Sequence, residues 1–352
     1  MVAEDFLVKK HLRLISRCLG VLPSAYVGFY NSRPTLLFFL LSSLDVLDRL
    51  DTALTEESKQ DIIKFLYDLQ IESNSGLPLD VSGFCGSLCH IENSKSEQST
   101  DPDSYYDCAH IAQTYTALCC LLVLGDDLKQ VDSRAILSGV SRCQKDDGSF
   151  CAFGFQNSEN DMRFVYCAVA ICFILNDYSF INTEKLKHFI RNSINYDGGI
   201  GQGPMYESHG GSTYCAIASL YMLGNLWDNS VITKKQIERL KNWALLKQDE
   251  GFHGRTNKPD DSCYAFWIGA TLSMLNSQYL VDETKVRSFL IRTQDELIGG
   301  FSKYEDSTSD ALHTYFSIAA LSIFEEPLLN PIFPPLNISR RAYEHLMRIR
   351  PR

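Results

Sequence analysis

The chain has 352 residues, of which 45% are hydrophobic, and this is enough apolar material for one large core. Its 33 Lys and Arg residues are outnumbered by 43 Asp and Glu residues, and the net charge of −10 argues against a general affinity for nucleic acid or anionic lipid. The first residues lack a signal-peptide pattern, and the apolar runs at 36–41 and 119–124 are too short to span a bilayer. We therefore expect a cytoplasmic protein without stable membrane insertion.

In chain order, the predicted elements are helices of two alternating kinds. Amphipathic segments around 62–69, 186–190 and 286–290 carry apolar residues spaced three and four apart, with charged residues between them. Other runs, such as 263–272, are apolar on nearly every side, and a helix of that kind is buried on every side. The pattern predicts an outer ring of amphipathic helices around an inner ring of buried helices.

Two markers recur at an interval of about 50 residues, which is typical of a repeat array. One is a tyrosine early in each apolar run, and the other is Phe or Ile in or near a glycine turn. The tyrosines are Tyr115, Tyr166, Tyr214, Tyr264 and Tyr315, and the turn residues are Phe150, Ile200, Phe252 and Phe301. An open superhelix would leave one face of each apolar helix in water. We therefore predict an all-α fold, an α/α barrel (toroid) of about six helical hairpins.

We predict a single domain over residues 1–352. Within it, residues 72–105 are rich in Ser, Asn, Asp and Pro and are predicted to form a surface loop. Residues 327–352 turn Pro-rich and then basic, and they are predicted to form a closing helix and a tail.

Polar side chains fall at or close to the start of each later apolar run. They are His110, Arg163, His209, Asp261, Cys263, Asp310 and His313. In a closed barrel the N-terminal ends of the inner helices meet around one mouth, where backbone N–H groups and helix dipoles favour anions. We therefore expect a functional site at that mouth.

Asp261, Cys263 and His313 offer oxygen, sulfur and nitrogen ligands, a set that zinc accepts. Three protein ligands leave a fourth position open, as catalytic zinc requires. Their spacing in the sequence alone favours structural roles for the three residues over a zinc site. The repeat phase brings neighbouring inner helices together, and with it the two interpretations carry about equal weight.

A second set of residues is cationic. Arg255 and Lys258 precede the helix that follows Asp261, and His209, Lys303 and Tyr264 lie at matching places in the repeats. Such a set on an acidic protein suits a compact polyanion such as diphosphate. Solvated loop cations are the alternative at this point.

Three strings resemble the β subunits of protein prenyltransferases. They are Glu207-Ser-His-Gly-Gly-Ser-Thr-Tyr-Cys215, Gly254-Arg-Thr-Asn-Lys-Pro-Asp-Asp-Ser-Cys-Tyr-Ala-Phe-Trp267 and Asp310-Ala-Leu-His-Thr-Tyr315. The resemblance covers nearly the whole chain in order. Of the farnesyl, geranylgeranyl type I and Rab-specific type II branches, the type I branch is the most similar. The strings at 32–35, 125–128 and 159–167 also carry this similarity.

The resemblance implies an α/α toroid that acts as a heterodimer with a helical-repeat α subunit, shared with farnesyltransferase. It implies one Zn²⁺ per β subunit, held by Asp261, Cys263 and His313. The donor would be geranylgeranyl diphosphate, with its diphosphate held by His209, Arg255, Lys258 and Tyr264 and its isoprenoid chain lined by Trp267. The acceptors would be Cys-a-a-X protein C-termini ending mostly in Leu, such as those of Rho-type small GTPases.

The resemblance also implies which residues select the lipid donor, the metal and the peptide. Thr35 stands where the farnesyl enzymes have a tryptophan, which leaves room for one more five-carbon unit. Lys303 stands where those enzymes have a magnesium-binding aspartate, so magnesium is not expected to be required. His110, Ala112 and Phe164 match positions around the last peptide residue, and Arg163 lies in the same region.

The implied reaction is thioether formation, in which His209, Arg255, Lys258, Tyr264 and Lys303 stabilise the leaving diphosphate. Farnesyl- or Rab-type β subunits are the alternatives within the family. A terpene cyclase would need acidic clusters, but Asp126-Asp127 and Asp146-Asp147 are typical of turns. A helical-repeat binding module is the non-enzymatic alternative.

Overall fold

The computed structural model describes residues 6–71, 82–88, 109–154 and 158–350. These residues contain fourteen α-helices and eight two-residue strands. The helices are α1 Val8–Gly20, α2 Arg33–Val46, α3 Leu50–Ala53, α4 Glu56–Asp68, α5 Ile111–Leu124, α6 Ser133–Arg142, α7 Met162–Leu175, α8 Thr183–Asn192, α9 Gly210–Met222, α10 Lys234–Leu245, α11 Ser262–Met274, α12 Glu283–Arg292, α13 Ala311–Ile323 and α14 Arg340–Ile349.

The strands pair in sequence order as four short antiparallel ladders, β1 with β2, β3 with β4, β5 with β6 and β7 with β8. Their bounds are β1 Gln70–Ile71, β2 Gly83–Phe84, β3 Phe150–Cys151, β4 Asn160–Asp161, β5 Phe301–Ser302, β6 Ser309–Asp310, β7 Ile332–Phe333 and β8 Ile338–Ser339.

Six helices, α2, α5, α7, α9, α11 and α13, form the inner ring. Each packs against the next in this order, and α13 packs back against α2, so the ring is closed. They are buried on nearly all sides, as their sequences require: in α5 every residue from Gln113 to Val123 is buried. The predicted all-α toroid is confirmed.

The outer helices α4, α6, α8, α10 and α12 are amphipathic and begin at side chains that cap them. Thr55, Asp132, Asn182, Thr233 and Asp282 each accept a hydrogen bond from a backbone N–H in the first turn. Each helix buries one apolar stripe, such as Leu186, Phe189 and Ile190 in α8. Capping and patterning therefore specify the same helices.

The N-terminal helix α1 supplies the sixth outer position and lies against the turn that follows α12. A Cβ at Gly299 would lie 2.2 Å from the Lys10 carbonyl oxygen of α1, just as one at Gly148 would lie 2.0 Å from the Lys185 carbonyl oxygen of α8. Both glycines also have positive φ. The close approach of the neighbouring helix and the left-handed backbone therefore both require glycine at these positions. The Gly300 N–H also donates to Nδ1 of the buried His11 at 2.8 Å.

The repeated tyrosines meet inside the ring and bind the C-terminal chain. Tyr166 Oη lies 3.0 Å from Tyr115 Oη and 3.3 Å from Tyr214 Oη. The hydroxyls of Tyr115, Tyr214 and Tyr315 donate to the carbonyls of Leu336, Pro334 and Asn337. Residues 334–337 are therefore anchored on one end of the inner ring.

Tyr264 is not equivalent to the other four tyrosines, so the prediction that all five mark one position is wrong there. It is the third residue of α11, whereas Tyr214 is the fifth residue of α9. Phe266 takes the inward position and packs 5.2 Å from the Tyr214 ring, centroid to centroid. Tyr264 is thereby displaced toward the start of the helix, where its hydroxyl can take part in a site.

Most of the predicted surface loop 72–105 lies outside the described residues, but residues 82–88 correct the prediction. Ser82 to Ser87 are buried rather than exposed, and Gly83–Phe84 pairs with Gln70–Ile71. The Phe84 N–H donates to Thr114 Oγ1, as the Phe301 N–H donates to Thr314 Oγ1. Phe84 is thus the turn residue of an earlier repeat, and it packs into the core.

After Glu326 the chain forms β7, β8 and α14. Ala342 and Leu346 of α14 are buried, and Arg341 Nε donates to Asp45 Oδ1 at 2.7 Å. None of the helices in the described ranges has the length and apolar character needed to span a membrane. The single-domain assignment remains a prediction.

Candidate functional site

Five inner helices begin with a side chain that is both a cap and a chemically useful group. These capping residues are His110, Asp161, His209, Asp261 and Asp310. Each accepts a hydrogen bond from a backbone N–H in the first turn, which restricts its rotamer. The bonds that start the helices therefore also orient imidazoles and carboxylates at one end of the ring. Asp161 was not among the residues predicted from the sequence, although it precedes Tyr166 by the same offset that separates His110 from Tyr115.

Asp261, Cys263 and His313 come together across the contact between α11 and α13. Each offers one ligand atom, and these atoms lie within 4.8 Å of one another. His313 Nε2 lies 3.5 Å from Asp261 Oδ1, and the Cys263 N–H donates to the same oxygen at 3.0 Å. Asp261 and Cys263 are buried. Ring closure thus assembles the predicted oxygen, sulfur and nitrogen set.

Asp310 orients the histidine of this set. Its Oδ2 lies 2.6 Å from His313 Nδ1, while its Oδ1 accepts the His313 backbone N–H. A carboxylate that accepts the Nδ1 proton leaves the lone pair of Nε2 directed at Asp261 and Cys263, as in metal-bound histidines. The sequence pattern marks Asp310 at the start of an apolar run but does not indicate this role.

The electrostatics of the cluster favour a cation. Burial lowers the pKa of His313, but hydrogen bonds and charges from Asp261 and Asp310 outweigh it and raise that pKa to about 9. Burial, together with the charge of Asp261, raises the pKa of the Cys263 thiol well above its usual value. The cluster therefore holds a proton near neutral pH, and a metal ion that displaces that proton would find three ligands in place.

His209 and Tyr264 form a hydrogen-bonded pair beside the cluster. His209 Nδ1 accepts the N–H groups of Gly211 and Ser212, and its Nε2 lies 2.8 Å from Tyr264 Oη. Burial and the Arg255 charge lower the pKa of His209, so the ring is neutral at pH 7. Its proton is then on Nε2 and is donated to Tyr264, whose own hydroxyl hydrogen is free for a third group.

Glycine is required next to this pair. A Cβ at Gly254 would lie 2.0 Å from the Tyr264 ring, so any side chain there would displace the phenol. The Gly210 N–H donates to the Gly254 carbonyl, which ties the loop before α11 to the start of α9.

The predicted cations differ in how close they lie to the Asp261, Cys263 and His313 cluster and to the pair of His209 and Tyr264. Lys303 Nζ lies 3.6 Å from Asp261 Oδ2, and Arg255 Nη1 lies 3.8 Å from Glu207 Oε2. Lys258 is exposed on the same loop as Arg255, and its backbone N–H donates to the Arg255 carbonyl. The structure thus places Lys303 next to the cluster and leaves the Lys258 side chain at the surface.

A second part of the site surrounds His110 on α5 and the start of α7. The His110 ring lies edge-on to Phe153 at 4.8 Å and to Phe164 at 6.0 Å, and the Arg163 guanidinium lies 5.3 Å from the Phe164 ring centre. His110 Nδ1 accepts the Ala112 N–H. Burial and the Arg163 charge lower the pKa of His110 to about 4, so this ring is neutral.

Arg163 is held by carboxylates in this structure. Its Nε and Nη2 donate to Asp161, and Nη2 also donates to Glu159 at 3.0 Å. Its charge nevertheless contributes to the lowered pKa values of both His110 and His209. The charge of Arg163 therefore acts electrostatically on both parts of the site.

Thr35 and Trp267 belong to the lining between the inner helices. Thr35 Oγ1 lies 3.0 Å from Gln113 Oε1 and 3.4 Å from Thr116 Oγ1. Gln113 Oε1 also accepts the Thr35 backbone N–H. The Trp267 ring packs 4.3 Å from Phe316 and 5.0 Å from Tyr214. An aromatic surface and a small polar residue are thus available to a ligand inside the ring.

Known proteins are similar to this chain in both sequence and fold. The model of the prenyltransferase alpha-alpha toroid domain family matches residues 6–338. The beta subunit of geranylgeranyl transferase type-1 from Arabidopsis thaliana is 38% identical over 349 residues, which cover 96% of this chain and 90% of the relative. The corresponding subunit from Dictyostelium discoideum is 36% identical and is matched over 95% of both chains.

A solved structure is also similar along nearly the whole chain. It is Candida albicans protein geranylgeranyltransferase-I complexed with GGPP, with a TM-score of 0.85 and 27% sequence identity. The match covers 98% of this chain and 99% of that chain. From the family match and the high coverage of its relatives, we conclude that the chain belongs to the prenyltransferase family with an alpha-alpha toroid fold.

Proposed function

We propose that this chain is the catalytic β subunit of a protein geranylgeranyltransferase type I, which transfers a geranylgeranyl group to the cysteine of a C-terminal Cys-a-a-X sequence. The observation that carries the proposal is one juxtaposition. Asp261, Cys263 and His313 converge within 4.8 Å, and Lys303 Nζ lies 3.6 Å from Asp261. A site that combines metal ligands with nearby cationic and phenolic groups suits a reaction between a thiol and a diphosphate ester.

We assign Zn²⁺ to Asp261, Cys263 and His313 Nε2, because their donor atoms fit its preference and leave a coordination position open. When bound, zinc would lower the pKa of a substrate thiol and hold it as a thiolate near neutral pH. This chain's own contribution is to orient the ligands. The backbone N–H of Cys263 fixes Asp261, and Asp310 fixes the tautomer of His313.

In the reaction, the substrate sulfur forms a bond to C1 of the lipid while the C1–O bond breaks, and the diphosphate leaves with the electron pair. We assign the growing negative charge to the neighbourhood of Arg255, Lys258, Lys303, His209 and Tyr264. His209 donates to the Tyr264 oxygen, which polarises the phenol so that it donates more strongly to the leaving group. Removing one such preorganised donor typically costs about 2.7–4 kcal/mol of barrier.

We propose that two residues set the choice of donor and metal. Thr35 is small and lies on the inner helix α2, where a bulky ring would fill space that a twenty-carbon chain needs. Lys303 is a fixed positive charge beside Asp261, and it can neutralise the leaving diphosphate without magnesium. Both features favour this assignment over a farnesyltransferase β subunit.

We assign the peptide's last residue to the region of His110, Ala112, Phe164 and Arg163. Phe153, Phe164 and the neutral His110 ring form an apolar and aromatic surface that suits a C-terminal Leu. The guanidinium of Arg163 is close enough to that surface to attract a terminal carboxylate, provided that its bonds to Asp161 open.

We further propose a helical-repeat α subunit as the partner, since the relatives are named as β subunits. Rho-type small GTPases are proposed as protein substrates, because they carry the Cys-a-a-Leu ending. A cytoplasmic location is supported by ten buried cysteine thiols in the described residues, which suit a reducing compartment.

The test is a competition assay on the chain co-expressed with an α subunit. The complex receives equal amounts of geranylgeranyl and farnesyl diphosphate, with peptides that end in Leu, Ser or Met, and the thioether products are identified by mass spectrometry. We expect geranylgeranyl transfer to the Leu peptide, without added magnesium. Farnesyl transfer to the Ser or Met peptide would support the farnesyltransferase alternative, and the absence of any thioether would contradict the proposed reaction.

A further inference from the structure

A second group of side chains that could ligate a metal lies next to residues 254–259, the loop that carries Arg255 and Lys258, outside the site described above. Asp249 and His253 follow α10, and Asp260 precedes Asp261. Each of the three offers one ligand atom, and these atoms lie within 4.8 Å of one another. His253 Nδ1 lies 3.2 Å from Asp249 Oδ2 and 3.7 Å from Asp260 Oδ1.

Two of these ligand atoms have no other use in the described part of the chain. His253 Nδ1 and Asp260 Oδ1 are both buried, and neither has a hydrogen-bond partner among the described residues. A buried polar atom that has lost water and has no hydrogen-bond partner destabilises the folded chain. At 3.7 Å the two atoms are too far apart for a proton between them to form a good hydrogen bond. A cation that both atoms coordinate would satisfy them together.

The distances suit a metal ion. Metal–ligand bonds of about 2.0–2.2 Å at tetrahedral or octahedral angles separate neighbouring ligand atoms by roughly 2.8–3.6 Å. The observed 3.2 Å falls in this range, and the observed 3.7 Å requires a closure of only a few tenths of an ångström.

The two less exposed ligands are also held in position. Asp260 Oδ2 accepts the N–H groups of Glu250 and Gly251 at 3.1 and 2.8 Å, so Oδ1 is left to face His253. The His253 backbone N–H donates to the Lys247 carbonyl. The side chains of His253 and Asp260 are 12% and 11% exposed, whereas Asp249 is 72% exposed and can supply the third ligand from the solvent side.

We propose that Asp249, His253 and Asp260 form a second divalent-metal site, separate from the Asp261, Cys263 and His313 cluster. One imidazole and two carboxylates favour a transition-metal ion such as Zn²⁺ or Mn²⁺ over Mg²⁺ and Ca²⁺, which prefer all-oxygen ligands. Water would complete the coordination. The assignment rests on these three residues and does not depend on the proposed transferase reaction.

The position of the site gives it a structural consequence. His253 directly precedes residues 254–259, which carry Arg255 and Lys258, and Asp260 directly follows them. An ion that binds both ends therefore restrains the loop that carries the two cations. Metal binding at this site is expected to slow amide hydrogen exchange in residues 254–259.

Cobalt titration of the full-length chain, purified with its partner subunit, separates the two sites. Co²⁺ bound through Cys263 gives a sulfur-to-metal charge-transfer band, whereas Co²⁺ bound by Asp249, His253 and Asp260 gives only weak d–d bands. We expect two Co²⁺ per wild-type chain and one in His253→Gln, with the charge-transfer band intact in both. Binding by the wild type of a single Co²⁺ that shows the charge-transfer band, or binding of two Co²⁺ by His253→Gln, would overturn the proposal.

Asp249→Asn is the second variant, because Asp249 is exposed and its replacement leaves the buried ligands in place. It should weaken binding of the second Co²⁺ by about tenfold or more and leave the charge-transfer band unchanged. Unchanged affinity for the second ion would refute the three-ligand assignment. If the wild type shows no charge-transfer band, the result counts against the proposed zinc cluster and not against the second site.

Discussion

Asp310→Asn is the sharpest test of how the proposed zinc cluster is organised, because it changes a residue that is not itself one of the three proposed ligands. Asp310 Oδ2 accepts the Nδ1 proton of His313 at 2.6 Å, and Oδ1 caps α13 at 2.9 Å. Asparagine can keep the cap through its amide oxygen. Its NH₂ group then faces Nδ1 and stabilises the tautomer with the proton on Nε2. That proton occupies the lone pair that the metal needs.

The expected loss follows from this geometry. Removing an outer partner of a metal-bound histidine typically weakens metal binding 10- to 100-fold, or about 1.4–2.8 kcal/mol. The Asp310 side chain is 39% exposed, so water screens part of its effect. We therefore expect zinc affinity to fall by about 10- to 30-fold, in the lower half of that range.

Zinc affinity is measured by competition with a chelator of known affinity. Asp161→Asn is the matched control, because Asp161 caps α7 in the equivalent way but contacts no member of the cluster. The control should bind zinc as the wild type does, and Cys263→Ala should lose the ion. If Asp310→Asn binds zinc as tightly as the wild type, Asp310 does not set the tautomer of His313 and the reasoning is wrong.

Three further predictions concern the donor, magnesium and acid stability. Thr35→Trp should shift the donor preference toward farnesyl diphosphate by about tenfold or more in a competition assay, and an unchanged preference would rule out Thr35 as the residue that sets chain length. Lys303→Asp should make turnover respond to added magnesium, and a variant indifferent to magnesium would contradict charge replacement. Burial lowers the pKa of His11 from 6.5 to about 4, so folding keeps it neutral while the unfolded chain binds a proton. The free energy of unfolding should therefore fall as the pH drops below 6.5, by roughly 2 kcal/mol at pH 5 from His11 alone. In urea unfolding, His11→Gln should make the free energy of unfolding depend less steeply on pH. An equally steep pH dependence in both proteins would contradict the burial argument.

The repeat period predicted the toroid because it reports a physical requirement. Helices that are apolar on every side must be surrounded, and only a closed ring surrounds all six inner helices. The same period misled at Tyr264, because a shift of two residues within a helix is invisible in an interval of about 50 residues. That shift determines whether the hydroxyl meets the inner tyrosines or His209.

Phe84 and Asp161 were missed for different reasons. The polar composition of residues 72–105 concealed the glycine turn at Gly83, and the extra chain length there broke the period before Phe150. Asp161 has the offset of the other capping residues, but an aspartate before a helix is so common that its position carried no chemical signal.

The convergence of Asp261, Cys263 and His313 could be predicted from the sequence, but the contacts that support these side chains could not. The phase of the repeats brings Asp261, Cys263 and His313 to adjacent helix ends. The hydrogen bond from His313 to Asp310 and the orphaned atoms of His253 and Asp260 depend on rotamers and on backbone geometry. No spacing rule encodes these features, so they become visible only in the structure.

The central claim is that ring closure makes one metal centre from residues far apart in the chain. X-ray absorption at the zinc edge tests it directly, on protein loaded with one zinc ion per chain. We predict one sulfur neighbour at about 2.3 Å and nitrogen or oxygen neighbours at about 2.0–2.2 Å. A zinc ion surrounded only by nitrogen and oxygen in the wild type would contradict the account.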